Sequence, residues 1–205
     1  MSWKEIAKTS KGLEYIHPSG YDEQLYNMSG KESGEEVQKY IKTPTSIIGN
    51  YNKVLEYGCG TGRIMRHIKD CVLEGVDIAP EFVEACNNNG FKAREVKDYN
   101  FNEDCDIIYS ITVFIHLSKK DAFIALKNIH KGLKQGGLAL LQIPLYETNK
   151  EPNNFIDVGS WTVELLGEMC DKIGFSIESM YTNTGSFSYN NIGVNHNKLQ
   201  ILKKL

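Results

Sequence analysis

The stretch KVLEYGCGTGR, Lys53 to Arg63, decides how this chain is read. Lys53–Tyr57 is a short run of β-type character that ends in the glycine cluster Gly58, Gly60, Gly62. Residues 62–70 follow with Ile64, Met65 and Ile68 at helical spacing, which predicts a helix there. Glycines at a strand end let the backbone turn sharply and let a ligand approach where a Cβ would clash. A helix behind them would add free N–H groups and the positive end of its dipole. A dinucleotide fingerprint, GxGxxG, would put its third glycine at position 63. That position is Arg63, too bulky for the close packing the motif needs, so a nicotinamide-dinucleotide reading fails.

Outward from the loop, strands alternate with helices. Val72–Asp77 predicts the second strand, and Pro80 with Glu81 suits the first turn of a helix that stops at Asn87-Asn88-Asn89-Gly90. Phe91–Val96 predicts a third strand, and the apolar run Cys105–Ile111 a central one buried on both faces. Ser118 is the expected N-cap of a helix reaching about Gly132, with Phe123, Leu126, Ile129 and Leu133 at helical spacing. Gly136-Gly137 then turns the chain into a strand at Leu138–Ile143. Trp161–Ile173 reads as a helix stopped by Gly174, and Phe175–Tyr181 and Lys198–Leu202 as closing strands around the polar stretch Thr182–Asn197. The pattern is that of an α/β protein with a mainly parallel sheet, right-handed crossovers and helices on both faces. Residues 1–52 read as an N-terminal helical extension or lid, with Ser29-Gly30 followed by a helix at Glu35–Ile41, and residues 53–205 as the ligand-binding domain.

Composition narrows the classes of function. A formal net charge of −3 with basic residues spread along the chain disfavours nucleic acid as the partner. Cys59, Cys71, Cys86, Cys105 and Cys170 form no CxxC pair and have no histidine at zinc spacing, so no metal site is expected. With no secretory signal and no apolar run near the roughly 20 residues of a membrane span, a soluble cytoplasmic protein with reduced thiols is expected.

Asp77 lies nineteen positions beyond Gly58, at the end of the second strand. A carboxylate there can accept from both hydroxyls of a ribose, which reads as adenosine recognition without a pyrophosphate. Five segments in order, VLEYGCGTGR, EGVDIAPEFVEAC, VKDYN, CDIIYSITVFIHL and LKQGGLALLQIP, resemble the motifs of class I S-adenosylmethionine (AdoMet)-dependent methyltransferases of the small-molecule type. The resemblance covers about Lys53 to Pro144. It implies a Rossmann-like fold of seven strands in the order 3-2-1-4-5-7-6, the last antiparallel, and AdoMet as the cofactor. It also implies that Gly58, Cys59, Gly60 and Gly62 line the methionine part of AdoMet and that Glu56 holds the loop. Asp77 would bind the ribose and Ile78 pack on the adenine. Asp98 would meet the adenine amino group with Tyr99 near the ring, and Ser110 and Ile111 would border the sulfonium.

The segment after the fourth strand, Ser110–Leu117, lacks the motifs of nucleobase and amide methylases, of cytosine C5 methylation, and of metal-dependent catechol methylation. By elimination, the expected acceptor is an oxygen or nitrogen of a small molecule. His116 is the candidate general base, since its ordinary pKa lies near neutrality and it follows the central strand. Tyr21 and Tyr26 in the extension, and Tyr146 after the fifth strand, are the expected acceptor-side and lid residues. The alternatives are a catalytically silent AdoMet-binding or partner-binding subunit and an aminopropyl transferase, the latter disfavoured because Ser110–Val113 contains no acid. Neither the acceptor's identity nor the oligomeric state is legible.

Overall fold

A computed structural model describes residues 3–8, 23–41, 52–153, 157–180 and 199–205. The chain divides into two compact units, Met1–Asn100 and Phe101–Leu205. Its seven strands, β1 to β7 in chain order, are arranged β3-β2-β1-β4-β5-β7-β6 in one sheet, the order the sequence implied.

The first unit contains helices α1 (Trp3–Ile6) and α2 (Glu23–Gln38), strands β1 (Asn52–Tyr57) and β2 (Cys71–Asp77), helix α3 (Pro80–Asn88) and strand β3 (Ala93–Glu95). β1, β2 and β3 are parallel, with Asn52 level with Cys71 and Tyr57 level with Val76. α3 starts with Pro80 in its first turn and ends at Asn89, after which Gly90 takes a positive φ, as expected from the sequence.

The helix expected at residues 62–70 does not form. Turns lead into a single 3-10 turn, Met65–His67, and Ile68 is already extended. The register explains this: the chain must return the full length of β1, about 17 Å. Nine helical residues advance only about 12 Å, so part of the return is made in extended backbone.

α2 also differs from expectation, running continuously through Ser29-Gly30 and Ser33-Gly34 instead of starting at Glu35. The small residues form a contact face. A Cβ on Gly30 would lie 2.7 Å from the Arg63 carbonyl oxygen, and one on Gly34 would lie 2.6 Å from the His67 Cβ. Ser29 and Ser33 are buried beside them.

The second unit contains β4 (Cys105–Ser110), α4 (Lys119–Gly132), β5 (Leu133–Leu141), α5 (Val163–Ile173), β6 (Phe175–Ser179) and β7 (Gln200–Lys204). β4 and β5 are parallel, while β7 runs antiparallel to both β5 and β6. Ser118 caps α4 as expected, its Oγ accepting from the Asp121 N–H at 3.1 Å. Gly174 ends α5 in the left-handed conformation. β5 begins at Leu133, directly after α4, and the expected Gly136-Gly137 turn is an irregularity inside the strand. The step from Cys105 to Ile107 in β4 faces the longer step from Leu133 to Leu138 in β5, and Gly136 has φ 73°. β4 and the second half of β5 are almost wholly buried, with Ile108, Tyr109, Leu140 and Leu141 at 0% exposure. No described helix is long and apolar enough to cross a membrane. The Thr182–Asn197 stretch and Tyr21 lie outside the described residues, and of the Tyr26 side chain nothing is described.

Candidate functional site

In the first unit, the end of β1 turns through Gly58, Gly60 and Gly62, all at positive φ. The Gly58 and Cys59 N–H groups both donate to the Val76 carbonyl, at 2.7 and 3.0 Å, which ties the loop to the end of β2. Asn89 Nδ2, at the end of α3, donates to the Thr61 carbonyl at 2.9 Å. Such close approach constrains β2 itself: a Cβ on Gly75 would meet the Cys59 Cβ at 2.7 Å.

Asp77 organises this end of the sheet. One carboxylate oxygen accepts from the Gly60 N–H at 2.9 Å, and the other from the Ala79 N–H at 3.0 Å. Burial pushes its pKa up, and the backbone donors of Ala79, Gly60 and Ile78 oppose that shift by favouring the anion. Each carboxylate oxygen retains lone-pair capacity for a further donor, which a sugar hydroxyl can supply. The next residue, Ile78, is 54% exposed, an apolar side chain left open beside a buried acid. Asp98 ends the 3-10 turn Val96–Asp98 with its side chain exposed. Glu56 is buried, level with Gly75 in the adjoining strand.

In the second unit, the end of β4 carries a backbone outlier. Thr112 has φ 62°, a left-handed conformation that costs a β-branched residue on the order of 1–3 kcal/mol. It is held there by the Gln142 side chain, whose Oε1 accepts from the Thr112 N–H at 2.8 Å. Ser110 and Ile111, just before it, are fully buried. Beyond it, His116 Nδ1 lies 3.1 Å from the Asp157 main-chain oxygen. A carbonyl can only accept, so Nδ1 carries the proton and Nε2 the lone pair. Burial holds the His116 pKa below its ordinary value, with the Asp157 carbonyl and charge opposing, so the ring is neutral at pH 7. Tyr146 is buried, which raises its pKa and keeps the phenol protonated.

A methyltransferase-domain family profile matches residues 54–137, the span from β1 into β5. The sheet order is that of the class I methyltransferase fold. Among curated proteins, a carboxy-S-adenosyl-L-methionine synthase from Shewanella halifaxensis (strain HAW-EB4) is 27% identical over 125 residues, 55% of this chain. The chain spans about half the length of that relative, 50%. Among solved structures, the SAM-bound magnesium protoporphyrin IX methyltransferase from Synechocystis PCC 6803 superposes with a TM-score of 0.65. It is 13% identical, over 100% of this chain and 98% of that one. A SAM-bound amino pentose methyltransferase from Micromonospora echinaspora gives a TM-score of 0.63 at 12% identity, over 90% and 96%. At such identities, these structures speak for the fold alone.

The first unit gathers Gly58, Gly60, Gly62 and Asp77 around one loop, with Ile78 and Asp98 following in the chain. Two expected residues have other engagements. Cys59 turns its side chain into the core with Met65, Cys86 and Ala93. The neighbouring Cys86 thiol, and burial, push its ionisation well above the ordinary thiol range, which fits a packing residue. Tyr99 is buried and its hydroxyl donates to Glu74 at 3.3 Å.

Sequence reasoning missed three features. Arg63, used there only to reject a dinucleotide, is buried with Nη1 donating to Ser29 Oγ at 2.7 Å, so it seats α2 against the loop's exit. Trp161 is fully buried, its indole N–H has no partner among the described residues, and Lys119 Nζ stands 5.0 Å over its ring. Asp157 meets His116 across 41 positions of sequence. No local pattern announces any of these contacts.

Proposed function

We propose that the first unit binds AdoMet and that the chain transfers its methyl group to an oxygen or nitrogen of a small molecule. Asp77 carries the reading: a buried carboxylate, fixed by two backbone N–H groups, beside a positive-φ glycine loop and an exposed isoleucine. These groups fit a nucleoside thioether. The carboxylate suits ribose hydroxyls, Ile78 an adenine face, Asp98 an exocyclic amine, and the loop a main chain that needs close approach. The 3-10 turn after the loop is too short to add a helix dipole, which suits a ligand with no pyrophosphate.

When bound, AdoMet supplies an electrophilic methyl group on a sulfonium sulfur. The chain's part is to orient the acceptor, exclude water and take up the proton an acceptor hydroxyl or ammonium must lose. His116 Nε2 is the atom assigned to that proton, because Nδ1–H is committed to the Asp157 carbonyl and the ring is neutral. Ser110 and Ile111 border the reacting end, and Tyr146 offers a protonated phenol to the acceptor. A lid role falls to the N-terminal extension, whose described part, α2, meets the loop's exit through Ser29 and Arg63. Five thiols with no disulfide among them suit a reducing, cytoplasmic setting.

Calorimetric titration with AdoMet, S-adenosylhomocysteine and NADH tests the cofactor. Binding of the adenosyl thioethers, weakened at least tenfold in Asp77→Asn while circular dichroism shows a folded chain, is expected. Binding of NADH alone, or of none of the three, overturns the reading. With the cofactor established, mass spectrometry of candidate acceptors reports the added methyl, and His116→Ala is expected to lower turnover with cofactor affinity unchanged.

A further inference from the structure

His116 is held by a strap, described over residues 145–153 and 157–161, with β-bridges between Leu145 and Trp161 and between Lys150 and Ser160. The strap is pinned to the segment that carries His116. The Gly159 N–H donates to the Ile115 carbonyl at 2.7 Å, Lys119 Nζ donates to the Lys150 carbonyl at 2.9 Å, and the Lys119 N–H donates to the Glu151 carboxylate at 3.0 Å. Space between them is tight: a Cβ on Gly159 would lie 2.8 Å from the Lys150 carbonyl oxygen and 3.5 Å from Lys119 Nζ.

Among the described residues, four donors meet the Asp157 carboxylate. Oδ2 accepts from Asn153 N–H at 3.0 Å and Asn153 Nδ2 at 2.7 Å. Oδ1 accepts from Lys150 Nζ at 3.1 Å and the Val158 N–H at 2.9 Å. These bonds fix the peptide at Asp157, and that peptide's oxygen is the one facing His116 Nδ1.

We infer that Asp157 is a positioning residue for His116: its side chain folds the strap so that its own main-chain carbonyl dictates which imidazole nitrogen bears the proton. The inference rests on the reading of His116 as proton acceptor, because only there does the tautomer matter to chemistry. A carboxylate bonded directly to the ring would fix the tautomer and also stabilise the imidazolium strongly. A carbonyl fixes the tautomer with a weaker pull, leaving burial to keep the ring neutral. The Asn153 main-chain N–H, ahead of Lys150 and the Val158 N–H, holds the Asp157 carboxyl well below the usual carboxylate range. The charge acting on His116 is that of Asp157, and among the described residues Lys150, Asn153 and the Val158 N–H face that carboxylate.

The test is heteronuclear NMR of the full chain carrying ¹⁵N-labelled histidine, near pH 8, where the ring is neutral. In the unmodified protein, His116 is expected as the Nδ1–H tautomer. Asp157→Ala is expected to release the peptide and give a mixture in which Nε2–H reaches tens of per cent. Asp157→Asn keeps one acceptor oxygen and turns an NH2 toward the other pair of donors, so a mixture between those of the unmodified protein and Asp157→Ala is expected. Lys150→Met removes one of the four bonds and gives a smaller shift, which keeps the test decisive if Asp157→Ala does not fold. An Nε2–H tautomer in the unmodified protein overturns the inference, as does a tautomer unmoved in both Asp157→Ala and Lys150→Met. The outcome is separate from the reading beneath it: full turnover in His116→Ala removes the base while leaving the tautomer result standing.

Discussion

Two glycines inside helices, Gly30 in α2 and Gly167 in α5, should respond to alanine with opposite signs. In an open helix interior, the exchange stabilises by about 1 kcal/mol, because glycine loses more backbone entropy on folding. Gly167 is such a position, with nothing within 4 Å of an added Cβ. At Gly30, the same gain meets a Cβ 2.7 Å from the Arg63 carbonyl oxygen and 2.8 Å from Arg63 Cγ. The carbonyl is backbone and cannot swing aside, so α2 has to move outward. Overpacking of this kind costs about 1–3 kcal/mol. Lifting α2 also lengthens the Arg63–Ser29 hydrogen bond, now 2.7 Å, and loss of a bond from a charged donor costs about 1.5–3 kcal/mol. Set against the propensity gain, Gly30→Ala should destabilise by about 2 kcal/mol or more. Urea unfolding of both variants is the assay, with the midpoint read at unchanged slope. A Gly30→Ala protein as stable as Gly167→Ala would refute the reasoning and detach α2 from residues 62–67.

Gly62→Ala should be among the most damaging single changes in the loop. Its φ is 82° and its Cβ would lie 2.6 Å from the Phe91 ring, so a loss of about 2–4 kcal/mol and of S-adenosylhomocysteine binding is expected. Gly90→Ala, with φ 87° but nothing near its Cβ, should lose only about 1 kcal/mol, and equal losses at the two sites would argue against the packing at Gly62. Acid should weaken the fold through three histidines, His67, His116 and His130, each held below its ordinary pKa chiefly by burial. The folded state then binds fewer protons than the unfolded one. The contribution is complete above about pH 6.5 and is lost as pH falls below it, until the folded pKa is passed. The urea midpoint should therefore drop between pH 7.5 and 5.5. A midpoint that rises over that range contradicts the assignment of the three histidines.

Features fixed within a few residues were legible in the sequence. β1, the glycine loop and Asp77 could be placed because strand character, positive-φ glycines and a strand-end carboxylate are each local preferences. The Pro80 start, the Ser118 cap and the Gly174 stop were legible because each side chain acts on its own backbone. The sheet order followed from the resemblance, which summarises many such local patterns in sequence.

Tertiary structure decided what depends on a neighbour far along the chain. Ser29-Gly30 reads as a helix break because glycine has poor propensity, yet α2 runs through it where only a missing Cβ allows contact with Arg63. Residues 62–70 have helical spacing but must cover the return along β1, and distance overrides period. Tyr99 carries no mark that its hydroxyl will meet Glu74, nor does Thr112 show that Gln142 will hold it at φ 62°. His116 could be named as a base from its place after β4. Which of its nitrogens bears the hydrogen is set by a carbonyl 41 residues away, because a tautomer is a property of the ring's partner and not of the ring.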